Sequence, residues 1–229
     1  MLSIVIPAYN EEERLGPTLA RIRDWGRGRR EEIEVIVSDD GSRDRTREVA
    51  AAAGVKVVGY EKNRGKGSAV RAGMLAASGD RVLMCDADLA TPIEELDKLG
   101  AELDRGADLA IGSRAIDRSL IETRQHPMRE LMGRTFNGIV RLLVLGGIKD
   151  TQCGFKLFTR EAAHDLFGRA TVDGFAFDVE ILWLARGRYR IAEVPVVWRH
   201  VEESKVSPGT DAMRMFADVI KLRLRHGRR

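Results

Sequence analysis

Short apolar runs alternate with longer amphipathic stretches through the first half of the chain. Runs at 2–6, 34–37, 55–59, 81–85 and 108–111 predict strands. Between them, 11–25, 45–53, 67–77 and 93–105 carry apolar residues at helical spacing. Ala50 to Ala53 followed by Gly54 marks a helix end, and Thr91-Pro92 marks a helix start. Strands that alternate with helices imply parallel βαβ units, hence a mostly parallel central sheet with helices on both faces. The second half is less regular. A mixed helical pattern at 128–145 is broken by Gly133 and Gly138 and interrupted by Arg129, Arg134 and Arg141. A turn from 150 leads into a short strand at 156–159. Helices are expected at 161–167 and 177–185, and a last strand at 191–198. Met213, Phe216, Ala217, Ile220 and Leu224 then follow helical spacing, flanked by Lys221, Arg223 and Arg225. No repeat, linker or low-complexity tract divides the chain, so 1–229 reads as one domain.

Composition narrows the class. At 229 residues and 44% hydrophobic content the chain supports a proper core. Two cysteines, Cys85 and Cys153, make no disulfide framework, and Cys85 falls in a predicted buried strand, which suits a reducing compartment. The opening Met-Leu-Ser-Ile-Val-Ile lacks a charged n-region and reads as a strand, not a signal peptide. No apolar stretch approaches the roughly 20 residues that cross a bilayer. The net charge of +3 is modest but uneven: beyond Lys205 the basic residues outnumber Asp211 and Asp218. Nucleic acid is disfavoured as a partner, because the chain is only 6% aromatic and the basic tail offers no stacking platforms. No Gly-X-Gly-X-X-Gly follows the first strand, which argues against a dinucleotide-dependent oxidoreductase.

The chemistry gathers at the strand ends. Open α/β sheets bind ligands beyond the carboxyl ends of their strands. That edge carries Pro7-Ala8-Tyr9-Asn10-Glu11, Asp39-Asp40-Gly41-Ser42, the segment from Glu61 through Lys66-Gly67, Asp86-Ala87-Asp88 and Gly112-Ser113-Arg114. In an extended segment Asp86 and Asp88 face one side. Two such carboxylates repel unless something positive lies between them, and hard oxygen ligands suit Mg2+ or Mn2+ carrying a diphosphate. The plainer reading is a pair of solvated acids that cap the following helix. Lys66, flanked by glycines at a helix start, suits a phosphate or a base edge.

In order and spacing, Val5 to Glu11, Val37 to Ser42 and Cys85 to Asp88 resemble the inverting family 2 glycosyltransferases, which share the nucleotide-sugar-binding GT-A fold. The run from Asp150-Thr151-Gln152-Cys153-Gly154-Phe155-Lys156 to Arg160, and Phe175-Ala176-Phe177-Asp178-Val179-Glu180, resemble the polyprenyl-phosphate branch, the dolichyl-phosphate β-glucosyltransferases and mannosyltransferases. The resemblance implies metal-dependent, inverting transfer of a hexose from a nucleotide sugar, UDP-glucose foremost, to a polyprenyl phosphate in a membrane. It implies that Pro7, Tyr9, Glu11, Asp40 and Lys66 line the donor pocket together with Asp86, Ala87 and Asp88. Asp86 and Asp88 hold Mg2+ or Mn2+. Arg114, Arg129 and Lys205 meet the acceptor phosphate, and Asp178 orients the sugar, holds Arg114 or caps its helix. Gly133 stands where the mannosyltransferase relatives have a serine. Residues to about 114 then form the nucleotide-binding half, and those from about 115 the acceptor-facing, membrane-facing half. The expected place is the cytoplasm, peripheral to the cytoplasmic face of a membrane, through 128–145 and the basic C-terminal helix. A membrane-protein partner or a homo-oligomer stays open. Transfer of mannose from GDP-mannose is the nearest alternative. A sugar-nucleotide nucleotidyltransferase is the alternative from another class, against which the Pro-Ala-Tyr-Asn-Glu end of the first strand counts.

Overall fold

The structure, a computed structural model, describes residues 1–123, 146–201 and 210–226, together with Thr135 and Gly138. Five strands of the first half appear as β1 (Leu2–Ala8), β2 (Ile33–Asp40), β3 (Lys56–Tyr60), β4 (Arg81–Cys85) and β5 (Leu109–Ser113). The helices between them are α1 (Glu12–Gly26), α2 (Thr46–Ala52), α3 (Lys66–Ala76) and α4 (Leu96–Asp104). Then come β6 (Ile121–Thr123), β7 (Phe155–Thr159), α5 (Arg160–Arg169), α6 (Phe177–Ala185), β8 (Ile191–Pro195), β9 (Trp198–Arg199) and α7 (Thr210–His226). Seven strands make one sheet in the order β3-β2-β1-β4-β7-β5-β8, and β6 pairs with β9 apart from it. Only β7 runs against its neighbours β4 and β5; the rest of the large sheet is parallel.

The alternation along each strand divides the core between the two sheet faces. Leu2, Ile4 and Ile6 of β1 pack with Leu83 and Cys85 of β4 under α1 and α4, against Leu15, Leu19, Ile22, Leu96 and Leu99. Val5, Val82 and Met84 point the other way, to Val70 and Met74 of α3 and to α5 and α6. Every residue of α6 is buried, including Asp178 and Glu180, whose carboxylates are answered by Lys156 and by Thr171 and Val172. Thr159 caps α5 by accepting from the Ala162 amide at 3.3 Å.

Three expectations change. The strand predicted at 34–37 runs on to Asp40, so Asp39 and Asp40 end a strand. The helix at 93–105 splits into a 3-10 turn, Ile93–Glu95, and α4. The strand at 191–198 is two strands in different sheets: Pro195 brings no amide hydrogen, and the Val197 amide leaves the ladder for Glu95 Oε2 at 3.1 Å. On α7 the face turned inward, against α6, is Met215, Val219 and Leu222. Most of the expected stripe faces outward, with Met213 71% and Leu224 78% exposed and Phe216 and Ile220 also exposed. The pattern at 128–145 lies outside the described residues. Among those described, no helix is long and apolar enough to cross a membrane.

Lys156 of β7 lies between Met84 and Ile111 in the middle of the sheet and is 1% exposed. Its Nζ donates to Asp178 Oδ1 at 2.5 Å and to the Cys153 carbonyl at 2.6 Å. Lys156→Met leaves Asp178 buried without its counter-charge and is expected to cost about 3–5 kcal/mol. Urea unfolding measures this, and the double variant Lys156→Met/Asp178→Leu is expected to regain most of the loss.

Candidate active site

The sheet order reverses at β1. From there the chain steps outward to β2 and β3 on one side, and to β4 on the other. A ligand crevice forms at such a point. Pairing of β1 with β4 ends at Val5 and Met84, whereas β1 stays paired with β2 as far as Ala8 and Asp39. The carboxyl ends of β1 and β4 therefore diverge, and the acidic turn sits at that divergence.

The β4 strand stops at Cys85, and Asp86 to Asp88 form a turn, not the extended segment expected. The Leu89 amide donates to the Asp86 carbonyl at 3.2 Å, with Leu89 at a left-handed φ of 45°. The turn is tied on both sides, by Thr18 Oγ1 on the Ala87 carbonyl (2.6 Å) and by the Asp86 amide on the Gly154 carbonyl (3.1 Å). Ala87 is buried, so its methyl belongs to the core and its carbonyl to the turn. Asp88 Oδ1 accepts from the Ala90 amide at 3.0 Å and caps neither the 3-10 turn, whose N-cap position is Pro92, nor α4, whose N-cap position is Glu95. Burial and the neighbouring Asp86 charge raise the Asp88 carboxyl above its ordinary value. The turn thus brings the two acids together without the pleat. Gly154 gives Asp86 its room: a Cβ there would lie 1.8 Å from Asp86 Oδ2.

A cation already sits on Asp86. Lys66 Nζ lies 2.6 Å from Asp86 Oδ1. Burial works to lower the Lys66 pKa, but Asp86, Asp178 and Asp88 together raise it above its ordinary value. Two glycines fix where this lysine starts. Gly65 takes φ +112°, and a Cβ on Gly65 or Gly67 would lie 2.4 Å from the carbonyl of Asp173 or Val172. Glu180 holds that facing segment, accepting from the Thr171 and Val172 amides and the Thr171 hydroxyl.

Among the described residues no three His, Cys, Asp or Glu side chains gather to hold a metal ion. Two carboxylates that already attract a cation fit Mg2+ or Mn2+ all the same, because such ions take one or two carboxylates and fill their shell with substrate phosphates and water.

Arg114 follows β5 and is locked to Asp150. Its Nε and Nη2 reach Oδ2 and Oδ1 at 2.7 and 2.9 Å, and its amide reaches Oδ2 at 3.0 Å. This fork-to-fork pair fixes the guanidinium plane, which lies 5.5 Å from the Trp198 ring centroid. Asp150 is set in turn by Glu193 of β8, which accepts from the Lys149 and Asp150 amides and from Ser113 Oγ. The expectation that Asp178 holds Arg114 is therefore corrected: Asp178 pairs with Lys156, and Asp150 does the holding. Asp178 also makes no side-chain cap; the N-cap position of α6 is Ala176.

The remaining predicted residues line the β1–β2 side of the edge. Pro7 is buried inside β1 opposite Ser38. Tyr9 and Glu11 lie in the following loop, which is sewn to the β2–α2 loop by Asn10 to Ser42 and by the Glu11 amide to Thr46 Oγ1 (2.7 Å). Glu11 also pairs with Arg14 at 2.7 Å, and Arg14 lies within the field of Asp88. Asp40 is buried and holds the loop before α3, accepting from Asn63 Nδ2 (2.8 Å) and from the Arg64 and Gly65 amides (2.8 and 2.9 Å). Burial raises its carboxyl despite the Arg64 and Gly65 amides, and Asp39 and Asp173 add to the rise. Asp39 closes the turn through Gly41, Ser42 and Arg47. Arg129 and Lys205 lie outside the described residues. The structure therefore gathers Asp86, Asp88 and Asp178 around Lys66, with Arg114 within range of Asp86 and Asp40 holding the loop that leads into Lys66. Asp150, Lys156, Gly154 and Glu193 are the site residues that the sequence reading missed.

Comparison with known proteins matches residues 3–167 to the profile described as Glycosyl transferase family 2. The chain belongs to that family. The Homo sapiens dolichyl-phosphate beta-glucosyltransferase is 39% identical, over 98% of this chain and 75% of that protein. Its Drosophila melanogaster counterpart is 40% identical over the same shares, and the Saccharomyces cerevisiae one 34% identical over 97% of this chain and 74% of its own length. Among solved structures, Mycobacterium tuberculosis glucosyl-3-phosphoglycerate synthase in complex with Mn2+, uridine diphosphate and glucosyl-3-phosphoglycerate superposes with a TM-score of 0.75 at 25% identity. That match covers 97% of this chain and 79% of the other. The sheet and its flanking helices are those of GT-A glycosyltransferases, and this family member is a glycosyltransferase.

The arginine lock leaves a mark on stability. Burial alone would raise the Asp150 carboxyl, but the Arg114 charge and hydrogen bonds bring it from 3.8 down to about 2. A depressed folded-state carboxyl stabilises above its unfolded value and loses that contribution as pH falls through its folded value. About 2 kcal/mol is thus expected to vanish between about pH 4 and pH 2. Unfolding free energies across that window are expected to depend less steeply on pH in Asp150→Asn.

Proposed function

We propose that this glycosyltransferase moves glucose from UDP-glucose to a dolichyl-type polyprenyl phosphate, with inversion and with Mg2+ or Mn2+ held at Asp86 and Asp88. The observation that carries the reading is an acidic turn holding a cation beside an arginine fork locked by a carboxylate. These make two adjacent seats for phosphate groups, one through a metal and one direct. The names and the identity of the curated relatives support the glucose and the lipid, and the Mn2+ complexes of the glucosyl-3-phosphoglycerate synthase support the metal.

The chemistry needs few protein groups. A bound divalent cation would neutralise charge on the departing nucleoside diphosphate. A lipid phosphate monoester is already an anion at neutral pH, so it attacks the anomeric carbon without a general base, and the bond to the nucleotide breaks on the opposite side. Arg114 presents Nη1 to that phosphate while Asp150 engages its other nitrogens. Pro7, Tyr9 and Glu11 line the nucleotide side with Ala87. Asp40 Oδ1 keeps a lone pair for a ring N–H of the base. Asp178 acts through Lys156 and Lys66, as a positioning residue beneath the site. Arg129 and Lys205 add further charge for the acceptor. In this reading 1–229 is one catalytic unit, with donor contacts concentrated before about residue 114 and acceptor contacts after it.

The acceptor brings the protein to the cytoplasmic face of a membrane. The exposed stripe of Met213, Phe216, Ile220 and Leu224 on α7, with Arg214, Lys221 and Arg223 on the same helix, matches an apolar interior beneath anionic headgroups.

Two measurements test this. Vesicles containing polyprenyl phosphate are offered with UDP-glucose, UDP-galactose, UDP-N-acetylglucosamine or GDP-mannose, plus metal. Labelled lipid is expected from UDP-glucose; transfer from GDP-mannose alone would replace the donor, and no transfer by folded protein would overturn the reading. Arg114→Lys in the same assay is expected to raise KM for the lipid phosphate at least about tenfold with little change for UDP-glucose. In flotation with anionic vesicles, Phe216→Asp/Ile220→Asp is expected to abolish association that the unaltered protein shows. Equal flotation of both would remove α7 as the contact.

A further inference from the structure

Lys66 does not reach into open solvent. Its ammonium is seated on Asp86 Oδ1 at 2.6 Å, within the fields of Asp178 and Asp88. Its backbone is fixed, because Gly65 and Gly67 press on the carbonyls of 172–174 and the Gly65 amide is bound by Asp40. Its side chain is a flexible four-carbon stem, 27% exposed at this position. The Asp86 backbone is likewise held, its N–H donating a hydrogen bond to the Gly154 carbonyl, and the lack of a Cβ on Gly154 leaves room for its carboxylate. Two anchored backbones, a long stem on the lysine and a short one on the aspartate describe a charge that can leave while its partner stays.

The charges around it favour leaving only under one condition. Three carboxylates (Asp86, Asp88 and Asp178) face two ammonium groups, those of Lys66 and Lys156, while Arg14 and Arg114 at the margin are matched by Glu11 and Asp150. A divalent cation entering alone would meet Lys66 on the same oxygen and turn a slightly negative pocket positive. A cation arriving with a diphosphate brings its own negative charge, and gives the displaced ammonium a new partner.

Resting on the metal reading proposed above, we infer that Lys66 is a resident counter-cation of the Asp86 carboxylate. It is exchanged for the divalent ion when the nucleoside diphosphate arrives, and its ammonium passes from Asp86 to the diphosphate. Metal and nucleotide then bind with strong positive coupling, and the coupling resides in one side chain. Because coupling is reciprocal, the metal tightens nucleotide binding by the same factor by which the nucleotide tightens metal binding.

The test measures binding, not turnover. Mn2+ affinity is determined by the loss of the free-ion electron paramagnetic resonance signal, with and without UDP, for the unaltered protein, Lys66→Met and Lys66→Arg. Thermal melting checks that each is folded, and Lys66→Gln substitutes if Lys66→Met is not. UDP is expected to tighten Mn2+ binding to the unaltered protein at least about tenfold. Lys66→Met is expected to bind Mn2+ alone about tenfold more tightly, and its gain from UDP to shrink to a few-fold. Lys66→Arg is expected to keep the coupling. Coupling that survives in Lys66→Met, with Mn2+ alone bound no more tightly, overturns the exchange and leaves the metal site standing. Absence of Mn2+ binding in every protein, with UDP or without, overturns both.

Discussion

The Lys156–Asp178 ion pair is the contact on which the site rests. Lys156 enters the sheet between β4 and β5, where every neighbour is apolar, and its ammonium has to be answered from outside the strand. Asp178 answers from the first turn of α6 and the Cys153 carbonyl from the turn before β7. One buried charge therefore ties together the antiparallel strand, the helix behind it and the loop that carries Asp150 and Gly154. A lone charge in that position would cost several kcal/mol, so these three segments take their places together.

Charges alternate outward from this pair. Arg114 faces Asp150, Asp150 feels Lys156, Lys156 binds Asp178, Asp178 lies within range of Lys66, and Lys66 binds Asp86. Each group is flanked by the opposite sign, which lets a cluster of ionised side chains persist at a partly buried edge. The same row joins the arginine proposed for the acceptor to the carboxylates proposed for the donor's metal.

Much of this was legible in the order of residues. The apolar runs of β1, β2, β4 and β5 are short and bounded, as strands covered on both faces must be, and that pattern put the acidic turn and Arg114 at the carboxyl ends of β4 and β5, where the structure has them. The close packing behind the site was not legible. Lys156 in Phe155-Lys156-Leu157-Phe158 looks like the outward residue of an ordinary alternating strand, and only the helix over that face shows it to be inside. Asp150 lies 36 positions from Arg114, and nothing local joins them. The glycines around Lys66 marked a helix start in the sequence, but did not show that they let α3 press against 172–174. The stripe on α7 has correct helical spacing, but periodicity does not say which of two apolar faces turns inward. Asp86 and Asp88 converge as expected, through a turn instead of a pleat.

The reversed direction of β7 has a bearing on modularity. In a parallel strand the loop that follows reaches the ligand edge; here the loop that precedes does so, and it delivers Asp150 and Gly154 beside residues made some forty and seventy positions earlier, respectively. A fragment ending just after β5 would carry the acidic turn and the arginine, yet lack the carboxylate that orients the arginine, the bare backbone that admits Asp86 and the wall that seats Lys66. The half up to about residue 114 is thus no detachable cassette: shuffling it onto another C-terminal half would also have to import the turn, strand and helix from 150 to 185.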